Sequence, residues 1–278
     1  MMRKGWGAVA LVAALVPGAL SAQSWKTVTM SRQLEDNDEV RVFVEYGAGH
    51  FTVRSVDEGL LYRMNLRYDE DKFEPVADFS GDRLHLGVET IGSGINLKGR
   101  EAGEMELELA RGIPIDLDLE FGAVKADIDL GGLALTDLDL STGASESTVD
   151  ISEPNPLGMG TAKFEAGASE FTLRHLGNLN AERIEVDAGV GSITLGLDGE
   201  WQADAELNID IGLGSLELLV PEGLGIQLRK DSFLASLDSE GLIKRGDVYE
   251  SLDFEEAEHR VVVDLDAAFG SIKVVWIR

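Results

Sequence analysis

The chain has no cysteine in its 278 residues. That excludes disulfide staples, thiolate metal sites and thiol nucleophiles. Positive charge is scarce as well: 24 Lys and Arg stand against 51 Asp and Glu, a net charge of −27. Such a surface repels nucleic acid and anionic headgroups and favours cations and basic partners. Aromatics make up 6% and prolines number six. No long amphipathic helix pattern is present. The histidines, His50, His85, His175 and His259, are isolated in sequence, with none of the i, i+4 spacing of a zinc helix. No G-x-S-x-G elbow occurs. The pair Gly189 and Gly191 lacks the following helix and Lys-Ser/Thr of a phosphate loop. No catalytic, cofactor-binding or metal-ligating set can be named from these residues.

What is present is glycine, 32 residues of it, placed in a recurring unit. The lines LDLEFGAVKADI (117–128), LDLSTGASESTV (138–149), AKFEAGASEFTL (162–173), IEVDAGVGSITL (184–195) and LNIDIGLGSLEL (207–218) share one pattern, flanked by VFVEYGAGHFTV (42–53) and LDAAFGSIKV (265–274). The leading glycines, Gly122, Gly143, Gly167, Gly189 and Gly212, are 21, 24, 22 and 23 residues apart. A fixed period in the twenties marks a stacked, quasi-one-dimensional architecture. Each half-unit alternates apolar and polar residues, as a strand with one buried face does. Leu117, Leu119, Phe121, Val124, Ala126, Ile128 and Leu130 are expected inside, and Asp118, Glu120, Lys125, Asp127 and Asp129 outside. Leu207, Ile209, Leu216 and Leu218 are expected to share one core layer, with Asp210 facing water. Gly189 and Gly212 are expected to take positive φ at a corner. The fold class is therefore all-β: a β-solenoid of roughly 22-residue coils preceded by a small β module.

Residues 1–22 read as a secretory signal peptide. Arg3 and Lys4 precede the apolar run Gly5 to Val16, and Leu20-Ser21-Ala22 offers cleavage after Ala22. The run is short for a membrane span and is followed by Pro17. Export to the periplasm or cell surface follows. Residues 23–38 read as a loosely ordered polar start. Residues 40–90 hold strands, among them a pair around Ser80-Gly81. Glycine-rich 92–103 is the boundary, so that 23–103 forms an N-terminal β module and 104–278 the repeat domain. Asn155 and Pro156 interrupt the repeats as a loop, and residues 242–260 hold a short hairpin or helical turn.

The segments at 44–88 (VEYGAGHFTVRS, GLLYRMNLRY, KFEPVADFSGDRLHLGV) resemble the N-terminal module of bacterial toast-rack proteins. GLGSLELLVPEGLGIQL (212–228) and RVVVDLDAAFGSIKVVW (260–276) resemble the C-terminal domain of LiaF-type cell-wall-active antibiotic response proteins, and the related adhesin-like family shares the pattern. The resemblance implies a right-handed β-solenoid at the envelope with a non-enzymatic role in stress signalling or surface structure. The chain lacks the transmembrane helices of LiaF-type regulators.

An acid before the glycine recurs as Glu45, Glu120, Glu165, Asp187, Asp210 and Asp266. Together with Asp116, Asp118, Asp127, Asp129, Asp137 and Asp139 it forms an outward ladder, the best metal candidate, because stacked carboxylates repel and invite Ca²⁺. The calcium nonapeptide is absent, broken by Gly131-Gly132-Leu133-Ala134, and a solvated acidic face is the plainer reading. Lys125 and Lys163 read as the only bases on the central strands. Trp25, Trp201 and Trp276 are scattered candidates for sugar stacking, whereas Phe43, Phe51, Phe121, Phe164 and Phe171 follow the strand alternation as core or exposed platform, with core the default. The function expected is an exported, non-enzymatic structural or protein-interaction module of the envelope, linked to envelope stress response or adhesion. Its partner would be an envelope protein or surface polymer, with self-association left open. The alternatives are a β-helical carbohydrate-active enzyme of polysaccharide-lyase type and a calcium-dependent adhesin.

Overall fold

The computed structural model describes residues 24–57, 59–91 and 103–278. The signal segment 1–22, its cleavage point after Ala22, and all but the last residue of the 92–103 boundary lie outside the described residues. Sixteen strands appear, in chain order: β1 (Trp25–Gln33), β2 (Val40–Val56), β3 (Leu60–Asp69), β4 (Phe73–Ser80), β5 (Arg83–Thr90), β6 (Gly103–Ala110), β7 (Pro114–Asp129), β8 (Ala134–Thr142), β9 (Glu146–Asp150), β10 (Met159–Arg174), β11 (Ala181–Gly196), β12 (Ala205–Pro221), β13 (Gly225–Asp238), β14 (Leu242–Arg245), β15 (Val248–Ser251) and β16 (Arg260–Ile277). One 3₁₀ turn spans Leu176–Leu179. The chain is all-β.

The described strands join one sheet whose main path is β1-β3-β6-β2-β7-β8-β10-β11-β12-β16-β13-β15-β14, with β5 pairing β2 and β4 beside it and β9 pairing β7 and β10. The pairings from β2 to β13 along this order are parallel. Their offsets repeat the glycine spacing: Leu117 pairs with Leu138, Leu138 with Ala162, Ala162 with Ile184 and Ile184 with Leu207. Each long strand bends at its glycines, and β8 and β9 supply the two halves of one such strand against β7 and β10. Antiparallel pairs are confined to the ends: β1 with β3, β3 with β6, β4 with β5, and the β13–β15–β14 group.

The core is a column of aliphatic residues. Leu117, Leu119, Phe121, Val124, Ala126, Ile128 and Leu130 are all buried, as are Leu207, Ile209, Leu216 and Leu218. Phe51, Phe121, Phe164 and Phe171 lie among them, but Phe43 is only half-buried, on the outer face of β2 with its ring 5.1 Å from that of His85. Burying such side chains contributes about 1.5–3 kcal/mol each, which lets the fold stand without a covalent staple.

Expectations need correction at residues 25–33 and at the leading glycines, and the strand order is a finding beyond them. Residues 25–33 are not a loose start but strand β1: its alternate side chains lean toward the core, with Val28 and Met30 packed on it. The order of the stack departs from chain order, because β16 lies between β12 and β13. Gly189 and Gly212 do not have positive φ. Positive φ belongs instead to the position two residues further on, where that position is glycine: Gly49 (136°), Gly191 (153°), Gly214 (155°) and Gly270 (143°). The leading glycines are needed for a different reason. A Cβ on Gly189 would lie 2.9 Å from the Gly167 carbonyl oxygen, and one on Gly212 2.6 Å from that of Gly189. Strand lies against strand there with no room for a side chain.

Candidate functional site

The corner acids form one continuous register column. Glu45 pairs with Glu120, Glu120 with Ser141, Ser141 with Glu165, Glu165 with Asp187, Asp187 with Asp210, Asp210 with Asp266, and Asp266 with Asp231. Paired residues on neighbouring strands are about 4.8 Å apart, so seven carboxylates and one hydroxyl follow the stacking direction. A groove of about 1070 Å³ runs along this column, walled by Glu45, Glu120, Glu165, Asp187 and Asp210 and floored by the leading glycines. No Lys or Arg lines it. Glycine makes the groove, since the residue after each acid-x step has no side chain to fill it.

A second acid column runs beside the first, with Asp118 paired to Asp139. Burial, and then the repulsion of Asp139, Glu120, Asp116 and Glu45, pushes the Asp118 carboxyl up to about 6. Asp137 is raised by burial and by Asp116 and Asp139, and Asp210 by burial and by Asp266 and Asp187. Partial burial is the larger cause in each case, and the like charges in register add to it.

Asp116 stands in register with Asp137, whereas Asp127 and Asp129 do not join these columns. Asp127 and Asp129 follow the glycine corner and lie on the other flank of the bend. Asp127 pairs with Arg54 at 3.2 Å, and Asp129 accepts hydrogen bonds from the Ser152 hydroxyl (2.7 Å) and the Gly131 N–H (2.9 Å). Asp116 meets Arg41 at 3.5 Å. Among the described residues no group of three or more His, Asp or Glu is placed to hold a metal ion. The central bases are also engaged: Lys125 with Glu146, Lys163 with Glu165. They are not alone on those strands, since Arg183 on β11 pairs with Glu206 at 2.6 Å. A smaller depression of about 330 Å³ joins Asp187, Asp210, Asp231, Asp264 and Asp266 with Arg229, which is ion-paired to Asp264 at 2.7 Å.

The tryptophans do not converge. Trp25 is covered by Arg67 at 4.1 Å, Trp201 donates to the Leu197 carbonyl, and Trp276 to that of Glu240. His175 escapes the isolated-histidine reading. Its ring lies between Asp150 (2.6 Å) and Asp198 (3.4 Å), tying the end of β9 and the segments after β10 and β11 together on a backbone with φ 56°. Asn155 was read as a loop residue and Asn178 was not singled out, yet both are buried. Asn155 accepts from the Leu135 N–H and donates to the Leu135 and Leu179 carbonyls. Asn178 donates to the Ile151 carbonyl and accepts from the Glu200 N–H. Their separation of 23 residues, one repeat, is the signal that could have revealed them.

A family model described as the N-terminal domain of toast_rack, DUF2154, matches residues 20–157 and 161–219. No curated protein matches the chain. Among solved structures, a protein from Clostridium sporogenes provisionally named a cell adhesion protein is 15% identical, with 91% of this chain and 100% of that chain covered and a TM-score of 0.48. A provisionally named adhesin from Bacteroides fragilis is 12% identical (90% and 97% covered, TM-score 0.37). A provisionally named lipid-binding protein from Parabacteroides distasonis is 10% identical (91% and 97% covered, TM-score 0.38).

Proposed function

The chain belongs to the toast-rack family, and from that premise we propose that it is an exported, non-enzymatic interaction module of the bacterial cell envelope, serving surface adhesion or envelope stress response. The observation that carries this reading is the acid-walled groove along the stack. Every charged side chain among its described lining residues is a carboxylate, with Glu165 ion-paired to Lys163 at the rim. A wall of carboxylates repels the polyanionic glycans on which lyases act. A repeated wall of one charge offers instead many equivalent contacts to a long or repetitive cationic partner. The parallel part of the sheet is read as a right-handed β-solenoid, supported by offsets that follow the 21- to 24-residue repeat. The stress-response arm rests on the likeness of 212–228 and 260–276 to the LiaF-type domain, and the division at 103/104 belongs to the same proposal. Among the described residues no helix is long and apolar enough to cross a membrane.

The test is capture from an intact envelope with the tagged chain lacking residues 1–22. Retention of a defined envelope protein or surface polymer, lost on neutralising Glu120, Glu165 and Asp187 together, is the expected result. A second reading, action on acidic glycans, is favoured by the depression holding Arg229 among aspartates. Release of unsaturated sugars from polyuronates, abolished in Arg229→Gln, would establish it instead.

A further inference from the structure

Beside the acid column lies a feature of opposite character. Val190, Leu213, Phe269 and Leu234 are 50%, 51%, 46% and 63% exposed. They are also in register: Val190 pairs with Leu213, Leu213 with Phe269, and Phe269 with Leu234. Four large apolar side chains therefore stand on adjacent strands as one ridge. The same register position holds only alanine at Ala168, Ala123 and Ala48, so the ridge is confined to one end of the stack. The corner holds it outward. In β11 the residues from Gly189 to Ser192 all lie on the outer surface between buried Ala188 and Ile193, and the left-handed Gly191 and Gly214 fix that bend. These side chains have no inward alternative. Contiguous apolar surface of this kind marks a contact site.

The charge beside the ridge identifies the contact. Three residues upstream on every one of these strands is an aspartate: Asp187, Asp210, Asp266 and Asp231, again in register. The nearby cations are turned to other partners, Arg229 to Asp264, Lys273 to Glu217 and Lys230 to the Ala235 carbonyl. On the far side of the ridge Ser192, Ser215, Ser271 and Ser236 form a neutral hydroxyl column. The surface is thus a stripe of apolar bulk with carboxylates along one border only.

We propose that this stripe docks a basic amphipathic helix, laid along the stack with its apolar face on Val190, Leu213, Phe269 and Leu234 and its Lys and Arg flank on the aspartate column. The spacing favours a helix. Four rungs span about 14 Å at 4.8 Å per step, close to the ~15 Å of ten helical residues, whose i, i+3 and i+4 positions fall on one side. An extended segment repeats each face every ~6.8 Å and falls out of step with the rungs. Oppositely charged flanks steer the helix and set its direction, while the ridge supplies the buried area. The inference rests on the interaction-module reading and names the chemistry of the partner.

The experiment uses the chain lacking residues 1–22 and a fluorescent 18-residue Leu/Lys amphipathic helix, read by anisotropy at 150 mM NaCl. Controls are the same composition scrambled and a Leu/Glu helix. The scrambled and acidic peptides are expected to bind at least tenfold more weakly than the Leu/Lys helix. Leu213→Ser with Phe269→Ser, and separately Asp210→Asn with Asp266→Asn, are each expected to weaken binding tenfold or more at an unchanged melting temperature. Asp116→Asn with Asp118→Asn, away from the ridge, should change it less than threefold. Equal binding of the scrambled peptide would overturn the proposal by reducing the contact to charge alone. Full binding by the serine pair would overturn it by removing the ridge. Sedimentation showing a dimer that dissociates in the serine pair would assign the stripe to a second copy instead. If the helix fails to bind while envelope capture still retains a partner, the docking assignment falls and the interaction module stands.

Discussion

At the residue scale, glycine and asparagine do work that their usual reading as loop formers conceals. Gly212 and Gly214 are two positions apart and are needed for different reasons: the first because its Cα lies against a carbonyl, the second because of both a carbonyl and a φ of 155°. Gly212→Ala is expected to cost more than about 1 kcal/mol and Gly214→Ala clearly more, since only the latter adds backbone strain to the clash. Urea unfolding compares them, and equal midpoints would remove the distinction. Asn155→Ala should cost about 2–4 kcal/mol, because it leaves the buried Leu135 N–H and the Leu135 and Leu179 carbonyls without this partner. An Asn155→Ala protein as stable as its parent by calorimetry would show that water satisfies that corner equally well.

At the scale of the strand, alternation decides everything. Ile209 is 3% exposed, while Asp210 on the same strand faces water and has its carboxyl raised by burial and by Asp266 and Asp187. Ile209→Asp is expected to abolish cooperative unfolding, as an unpaired charge in the core costs several kcal/mol. Asp210→Asn should leave stability unchanged or raise it. Thermal melts of the two variants that coincide would contradict the register. This layer of the fold was legible in the residues, because period two and a recurrence of 21 to 24 residues are both local properties of the text. The acid column was legible for the same reason. What the text hid is long range: β6 placed between β3 and β2, β16 between β12 and β13, and His175 between Asp150 and Asp198. Periodicity states how far apart equivalent residues lie, not which copy becomes whose neighbour. The positive-φ glycine was assigned one step early, since steric crowding and backbone strain both select glycine and look alike in a sequence.

At the scale of the whole molecule, net charge governs the response to solution. With −27 overall and carboxylates in register, added NaCl should raise the melting temperature by screening. CaCl₂ should do no more than MgCl₂ at equal ionic strength, and a rise of many degrees in calcium alone would revive the calcium-dependent adhesin. Acidity should act in the same direction. The folded Asp118 carboxyl titrates near 6, above the 3.8 of an unperturbed Asp, so the folded state binds the proton more tightly. Its penalty is fully present above pH 6 and disappears as pH falls toward 3.8. The melting temperature should therefore rise by a few degrees from pH 7.5 to 5, and Asp118→Asn should flatten that rise. A flat profile in the parent chain would argue that these charges are fully screened. A further consequence concerns time. Because β16 is the last of these strands to be synthesised and yet sits between β12 and β13, β13 emerges beside an open edge that is not its own. Any early union of β12 with β13 has to be undone before the fold can close. The final eighteen-residue strand thus acts as a late checkpoint on assembly, and a chain released short of it would expose two raw edges where a simple stack would expose one.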